Sequence, residues 1–122
     1  IVFTPEPRDI LVGISRNYVM DLCDEMGIQC IEKNLETYDA YTSDECFMTA
    51  TPFCLLPVLT FNGLKIGNGK MGEITQKIHD QWSKNVGLNI FQQIRDYSDE
   101  CKVLNKNQPT PYQFNPVDEE TI

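Results

Sequence analysis

The 122-residue sequence is long enough for one folded domain, and its 41% hydrophobic and 23% charged residues are typical of globular proteins rather than disordered ones. The formal net charge of -8 at pH 7 argues against a nucleic-acid surface, which requires clustered Lys and Arg. No apolar run approaches the roughly 20 residues that cross a bilayer, and none resembles a signal peptide. We therefore expect a soluble acidic protein with neither nucleic acid nor a membrane as its partner.

Several potentially reactive side chains have a simple structural explanation. The five cysteines include no C-x-x-C pair, and the sequence has one histidine, His79, so the usual zinc spacings are absent and we expect no metal. An odd number of cysteines favours reduced, mostly buried thiols in a cytoplasmic protein. We interpret His79 as a surface or packing residue and the acidic pair Asp44-Glu45 as a solvated face. We therefore expect no serine or cysteine nucleophile.

The first part of the chain predicts a strand, a helix and a second strand. The apolar run at residues 10–12 predicts a buried strand, and residues 28–32 predict another. Between them, apolar residues three, four and seven positions apart predict a helix at residues 15–26. Gly27, just past that helix, suits its left-handed C-terminal position.

The middle of the chain predicts mainly strands. A short helix is predicted at residues 35–44, followed at residues 46–51 by a strand buried on both faces. A second extended run at residues 55–61 leads into Asn62-Gly63, a strong hairpin signal. Residues 64–66 are then expected to return as the second arm of the hairpin.

The last part predicts two helices and a tail. A glycine-rich loop at residues 67–72 precedes an apolar helical stripe, and a final helix is predicted around residues 90–102. The stripe comprises Ile74, Ile78 and Trp82. We expect one mixed α/β domain over residues 1–104 and an extended or disordered acidic tail over residues 105–122. The start at Ile1, without a methionine, suggests a segment of a longer protein.

The turn into the first helix is a candidate anion site. Helix N-termini leave backbone N–H groups unsatisfied and carry partial positive charge, so they can hold a phosphate without lysine. Gly13 would allow close approach of the anion, while the N–H groups of Ile14 and Ser15 and the Ser15 hydroxyl would point at it. A capped helix without a ligand has the same pattern.

A second candidate lies at the carboxyl end of the strand at residues 46–51, which we expect to be central in its sheet. Ligands of α/β proteins collect beyond such strand ends, and the hydroxyls of Thr49 and Thr51 would point the same way. Threonine is also simply a good strand former, so this signal alone leaves both interpretations open.

The loop at residues 67–72 matches G-x-G-x-x-G, a pattern that also occurs in dinucleotide sites. Its context differs, because the preceding strand belongs to a tight hairpin and no acidic residue follows at the required distance. A P-loop is excluded as well, since Lys70 is followed by Met71 rather than Ser or Thr. A tight turn into a helix explains this loop better.

Four motifs, in this order and with similar spacings, resemble the C-terminal half of the fold-type IV pyridoxal-phosphate aminotransferases, which include branched-chain and D-amino-acid transaminases. They are Ile10-Leu11-Val12-Gly13-Ile14-Ser15-Arg16, Cys46-Phe47-Met48-Thr49-Ala50-Thr51, Leu56-Pro57-Val58 and Ile66-Gly67-Asn68-Gly69-Lys70. The family's stretches run Ile-Leu-Pro-Gly-Ile-Thr-Arg, Phe-Leu-Thr-Gly-Thr, Thr-Pro-Val and Ile-Gly-Asp-Gly-Lys. The resemblance spans residues 4–82, roughly two-thirds of the chain.

The resemblance implies that the chain is part of a large C-terminal domain, a mixed sheet or pseudo-barrel flanked by helices. It implies pyridoxal 5′-phosphate as cofactor, with the phosphate contacting Ile14, Ser15 and Thr51 beside Gly13, and with Leu11 packing on the pyridine ring. The complete protein would be a homodimer that moves an amino group between an amino acid, of branched-chain or D-amino-acid type, and a 2-oxo acid.

Departures from the family pattern affect the substrate side. Val12 replaces a proline and Ala50 replaces a glycine. Pro52 removes a backbone N–H where branched-chain members hold the substrate carboxylate, which leaves Phe53 as the candidate donor. The resemblance therefore keeps open a lyase of the aminodeoxychorismate-lyase type, and a non-catalytic binding or dimerisation module remains a further alternative.

The family's catalytic lysine, and the glutamate that pairs with the pyridine nitrogen, lie upstream of the matched segment. No lysine of this sequence occupies that motif, so we assign no catalytic residue here. We expect this segment alone to be inactive.

Overall fold

The fold alternates short strands with helices, which confirms the predicted mixed α/β class. The elements are, in order, β1 (Val2–Pro5), α1 (Ile14–Glu25), β2 (Cys30–Lys33), α2 (Thr37–Thr42), β3 (Phe47–Ala50), β4 (Cys54–Pro57), β5 (Thr60–Phe61), β6 (Leu64–Lys65), α3 (Glu73–Val86) and α4 (Ile90–Asn107). The computed structural model describes residues 1–8 and 10–107. Within this part, no helix is long and apolar enough to span a membrane. The chain divides into two units, residues 1–90 and 91–122.

Strands β1 and β2 form a two-stranded parallel sheet, and α1 is the crossover between them. Gly27 ends α1 in the left-handed conformation at φ 67°, as predicted. The N–H of Ile28 donates to the carbonyl of Cys23 at 2.8 Å, which completes a Schellman turn and directs the chain back toward β2.

The predicted strand at residues 10–12 is wrong, because residues 11–13 have no regular secondary structure. The strand that precedes α1 is β1, which pairs with all four residues of β2. The run at residues 10–12 therefore has no strand beside it in the described part of the chain. An apolar run alone does not distinguish a strand from an exposed connection.

Two antiparallel hairpins follow, β3–β4 and β5–β6. The second turns at Asn62 and Gly63, whose φ angles of 48° and 78° are those of the predicted two-residue turn. The prediction of a central strand buried on both faces at residues 46–51 is wrong. In the described part, β3 has one neighbour and its Met48 is 50% exposed. A short apolar run does not show whether one face or both are covered.

The core of the first unit lies where α1 packs against α3 and β3. The rings of Tyr18 and Trp82 meet edge to face with centroids 4.8 Å apart. Val19, Leu22 and Cys23 from α1, Leu55 and Ile66 from the hairpins, and Ile78 and Trp82 from α3 are all buried. The apolar stripes predicted for α1 and α3 are thus confirmed. His79 is buried as well, and this burial lowers its pKa and favours the neutral ring.

The other helices differ from their predictions at the ends. Helix α2 begins only at Thr37, because Glu36 forms a capping box in which its own N–H donates to Asp39 Oδ2 at 2.8 Å. Helix α4 continues to Asn107, so the first three residues of the predicted tail are helical. The rest of that tail, residues 108–122, lies outside the described residues.

Candidate active site

The N-terminus of α1 presents hydrogen-bond donors to solvent. The helix begins at Ile14 after an extended Gly13 (φ -78°, ψ 144°), and it has neither a capping side chain nor an acidic residue in its first turn. The first helical hydrogen bond runs from Asn17 N–H to Gly13 O at 3.1 Å. The N–H groups of Ile14 and Ser15 therefore belong to the orphan donors of a helix start.

The side chains of this turn leave the donors accessible. Ile14 is 87% exposed, and a Cβ at Gly13 would meet no atom within 4 Å. Ser15 is half-buried, and its hydroxyl makes no hydrogen bond to the described residues. Two N–H groups and a hydroxyl, together with the partial positive charge of the helix, suit a phosphate.

The N-terminus of α3, in contrast, is closed by a carboxylate of the protein itself. Glu45 Oε1 accepts the N–H of Ile74 at 3.1 Å, and Oε2 accepts the N–H and hydroxyl of Thr75 at 2.8 and 2.7 Å. Burial raises the pKa of Glu45, but these hydrogen bonds outweigh it and hold the pKa below its ordinary value. The interpretation of Asp44-Glu45 as a solvated face is therefore wrong for Glu45.

The glycine-rich loop before α3 is a tight turn, as predicted. Gly67 and Gly69 adopt left-handed φ angles of 54° and 72°. A Cβ on Gly67 would overlap the carbonyl of Asp44, and one on Gly72 would overlap the carboxyl group of Glu45. The glycines therefore allow the loop to pack against residues 44–45. The N-terminus of α3, which follows the loop, is already occupied by the carboxylate of Glu45.

The guanidinium of Arg16 binds residues of β1 and β2. The residue is 9% exposed. Its Nε donates to Thr4 Oγ1 at 3.1 Å, its Nη2 donates to Pro5 O at 2.9 Å and Glu32 Oε1 at 3.0 Å, and its Nη1 donates to Asn17 Oδ1 at 3.2 Å. No local sequence pattern predicts this role of Arg16, although it directly follows Ser15.

Thr51 and Phe53 lie in the turn between β3 and β4. Thr51 is exposed, and its hydroxyl has no hydrogen-bond partner among the described residues. The N–H of Phe53 donates to Ala50 O at 3.3 Å, so it is engaged within the turn. Cys54 follows with a φ of 60°, and the N–H of Leu55 donates to Phe53 O at 2.7 Å. These three residues form a tight turn whose backbone conformation is strained for a non-glycine residue such as Cys54.

The structure places the predicted site residues in two groups. Gly13, Ile14 and Ser15 are contiguous, and Leu11 lies just before them with 96% of its surface exposed. Thr51 and Phe53 form the second group. Helix α1 packs on β3, the strand that leads into Thr51, but no hydrogen bond among the described residues joins the two groups.

Burial disfavours the thiolate form of several cysteines. All five cysteines are free thiols. Burial, with a smaller effect of Cys30, raises the pKa of Cys23 to about 11, and burial also raises the pKa of Cys46 and Cys54. Residues 1–8 and 10–107 contain no cluster of His, Cys, Asp and Glu that could hold a metal ion.

Comparison with known proteins identifies one family. The family model "Amino-transferase class IV" matches residues 1–61. A branched-chain-amino-acid aminotransferase of Pseudomonas aeruginosa is 36% identical over 78 residues, which cover 64% of this chain and 25% of the relative. The chain therefore spans about a quarter of the length of this curated relative.

Solved structures similar to this chain are aminotransferases as well. The branched-chain amino acid aminotransferase of Escherichia coli has a TM-score of 0.64 at 33% identity, covering 66% of this chain and 28% of the other. An aminotransferase from Brucella abortus, described as bound to the cofactor PLP, has a TM-score of 0.62 at 29% identity, covering 67% and 29%.

Proposed function

Because the chain belongs to the class IV aminotransferase family, we propose that the complete protein is a pyridoxal-phosphate-dependent aminotransferase. It would move an amino group between an amino acid, of branched-chain or D-amino-acid type, and a 2-oxo acid. The observation that carries this proposal is the open turn at residues 13–15, where the donors of α1 meet solvent without a capping side chain. The names of the similar proteins support the reaction class and the branched-chain substrate type.

The residues of this turn fit the phosphate of the cofactor. The N–H groups of Ile14 and Ser15 and the Ser15 hydroxyl would donate to phosphate oxygens, and the hydroxyl of Thr51 would donate from the β3–β4 turn. The partial charge of α1, about half an elementary charge, would offset part of the phosphate charge. The net charge of -8 is therefore compatible with an anionic cofactor, since the contacts are local.

Leu11 supports the proposal through its position. A leucine that exposes 96% of its surface two residues before the phosphate turn would pack on the face of the pyridine ring and exclude water from it. When bound, the cofactor supplies the electron sink for chemistry at the amino acid's α-carbon. We assign no catalytic residue to these 122 residues, and we propose that this segment alone does not transfer amino groups.

A second candidate function is a lyase of the same fold acting on an aminodeoxychorismate-like substrate. It is favoured by the turn at Pro52 and Phe53, which departs from the pattern with which branched-chain members hold the substrate carboxylate. Pro52 has no N–H, and the N–H of Phe53 donates to Ala50 O within the turn. To bind a substrate carboxylate, Phe53 would have to exchange this 3.3 Å hydrogen bond for one to the substrate. The carboxylate-binding role of Phe53 therefore stays a prediction.

An amino-group transfer assay on the complete protein distinguishes these functions. The protein is loaded with pyridoxal 5′-phosphate and mixed with a branched-chain L-amino acid or a D-amino acid. An aminotransferase releases the matching 2-oxo acid and then requires a 2-oxo acid acceptor for further turnover. A lyase releases pyruvate from an amino-chorismate substrate without an acceptor. A non-catalytic module gives neither product and binds no cofactor.

We also propose that the complete protein is a cytoplasmic homodimer. The five free cysteines support a reducing compartment, and the family resemblance supports the dimer. Sedimentation equilibrium of the complete protein tests the oligomeric state, and a monomer at micromolar concentration would contradict it.

A further inference from the structure

The first turn of α1 has few attachments to the rest of the fold. Leu11 and Ile14 are almost fully exposed, and Val12 is 54% exposed, so their side chains do not anchor the turn. The turn also lacks a capping side chain. The buried apolar residues of α1 begin only at Val19, directly after Tyr18, whose half-buried ring contacts Trp82. Both lie more than one helical turn beyond Gly13.

Among the described residues, the side-chain hydrogen bonds that join this turn to the β1–β2 sheet come from Arg16. Its guanidinium contacts Thr4 and Pro5 of β1 and Glu32 of β2. A buried guanidinium is stable only when such partners satisfy it, and its planar fork fixes the direction of each hydrogen bond. The backbone of Arg16 is therefore held in one orientation relative to β1 and β2.

We propose that Arg16 is a positioning residue for the cofactor phosphate. It does not contact the phosphate but acts through the peptide that joins it to Ser15. By holding the start of α1 against the sheet, it keeps the N–H groups of Ile14 and Ser15 and the Ser15 hydroxyl aimed at one point. This inference rests on the proposed function, because it assumes that the phosphate binds at this turn.

The test compares two ligands that bind without a covalent bond, pyridoxamine 5′-phosphate and pyridoxamine, on the complete protein. The ratio of their dissociation constants measures the contribution of the phosphate alone. Arg16→Lys keeps the charge but cannot reproduce the fork. We expect Arg16→Lys to lower the preference for the phosphorylated ligand, measured by this ratio, about tenfold, because the hydrogen bonds to the charged phosphate would be misaligned. The affinity for pyridoxamine should stay within about twofold of the wild-type value.

Single-contact variants keep the test valid if Arg16→Lys does not fold. Thr4→Val removes the acceptor of Nε without changing the shape of the side chain, and Glu32→Gln removes the charge of the partner carboxylate. Each is expected to lower the phosphate preference several-fold. Arg8→Lys, at an exposed arginine, is the matched control and should leave the ratio unchanged.

The outcomes separate this inference from the proposed function. An unchanged ratio in the folded variants would overturn the positioning role. Equal losses of affinity for both ligands would overturn it too, because they would show a general structural role. If the wild-type protein itself does not prefer the phosphorylated ligand, the proposed function fails and the inference fails with it.

Discussion

The carboxylate of Glu45 accepts both the backbone N–H and the side-chain hydroxyl of Thr75, at 2.8 and 2.7 Å, at the N-terminus of α3. Thirty residues separate the two in sequence. The protein thus occupies one helix N-terminus with its own anion, while the N-terminus of α1 has no capping side chain. The two helix starts have similar chemistry, but that of α3 is already occupied by a carboxylate, whereas that of α1 has no side-chain cap.

Replacing Glu45 with glutamine should destabilise the protein. Glutamine has one acceptor oxygen in place of two and no charge to pair with the helix N-terminus. We expect a loss of about 1 to 3 kcal/mol in the free energy of unfolding, the usual cost of leaving buried donors unsatisfied. Urea denaturation measures it, with Asp44→Asn, at the exposed neighbour, as control. Equal midpoints for the two variants would show that Glu45 does not anchor α3.

The contribution of Glu45 should depend on pH. Burial raises the pKa of Glu45, but the hydrogen bonds from Thr75 and Ile74 lower it by more than burial raises it. The folded-state pKa therefore lies below the ordinary value. The stabilisation is therefore complete above the unfolded pKa of about 4.3 and is lost as pH falls through the folded pKa. The difference in the free energy of unfolding between the wild type and Glu45→Gln should therefore shrink as the pH falls below the unfolded pKa of about 4.3. A difference that is constant or grows would contradict this assignment.

Gly67→Ala should destabilise the protein more than Gly63→Ala. Both glycines adopt positive φ, 54° and 78°, so both substitutions carry the backbone cost of the left-handed region, roughly 1 to 2 kcal/mol. A Cβ at Gly67 would also overlap the carbonyl of Asp44, whereas one at Gly63 would meet nothing. The difference between their urea midpoints measures the overlap, and equal midpoints would show that the loop does not need this close approach.

The N–H of Ile14 can be removed without disrupting α1. Ile14 is the first helical residue, where proline is well tolerated, and Gly13 before it has the extended backbone that a following proline requires. Ile14→Pro should therefore weaken pyridoxamine 5′-phosphate binding about tenfold, the cost of one charge-assisted hydrogen bond. Ile14→Ala keeps the N–H and serves as control in the same calorimetric titration. Equal affinities in the two variants would exclude this N–H as a phosphate ligand.

The sequence predicts those parts of the fold that depend on neighbouring residues. The end of α1 follows from Gly27, and the β5–β6 turn follows from Asn62-Gly63, because each requires a backbone conformation that few residues adopt. The helix start at residues 13–15 follows in the same way from a glycine and a serine, while phosphate binding at this turn stays a prediction. Local chemistry is sufficient for the backbone at each of these places.

Features that depend on distant residues could not be predicted. Arg16 and Glu32 are 16 residues apart, and Glu45 and Thr75 are 30 apart, so no spacing rule relates them. The apolar run at residues 10–12 predicts a strand that the structure lacks, because Leu11 and Val12 do not face the core of the described fold.

The most direct test of the central claim is the titration of the complete protein with pyridoxal 5′-phosphate, followed through the visible absorption of the bound cofactor. The wild-type protein should bind one cofactor per chain. The double variant Ser15→Ala/Thr51→Val should bind at least tenfold more weakly, since it lacks two hydroxyl donors to a charged group. The matched control Ser98→Ala/Thr60→Val should bind as the wild type does. No binding to the wild type, or equal binding to both double variants, would contradict the assignment of this turn as the cofactor's phosphate site.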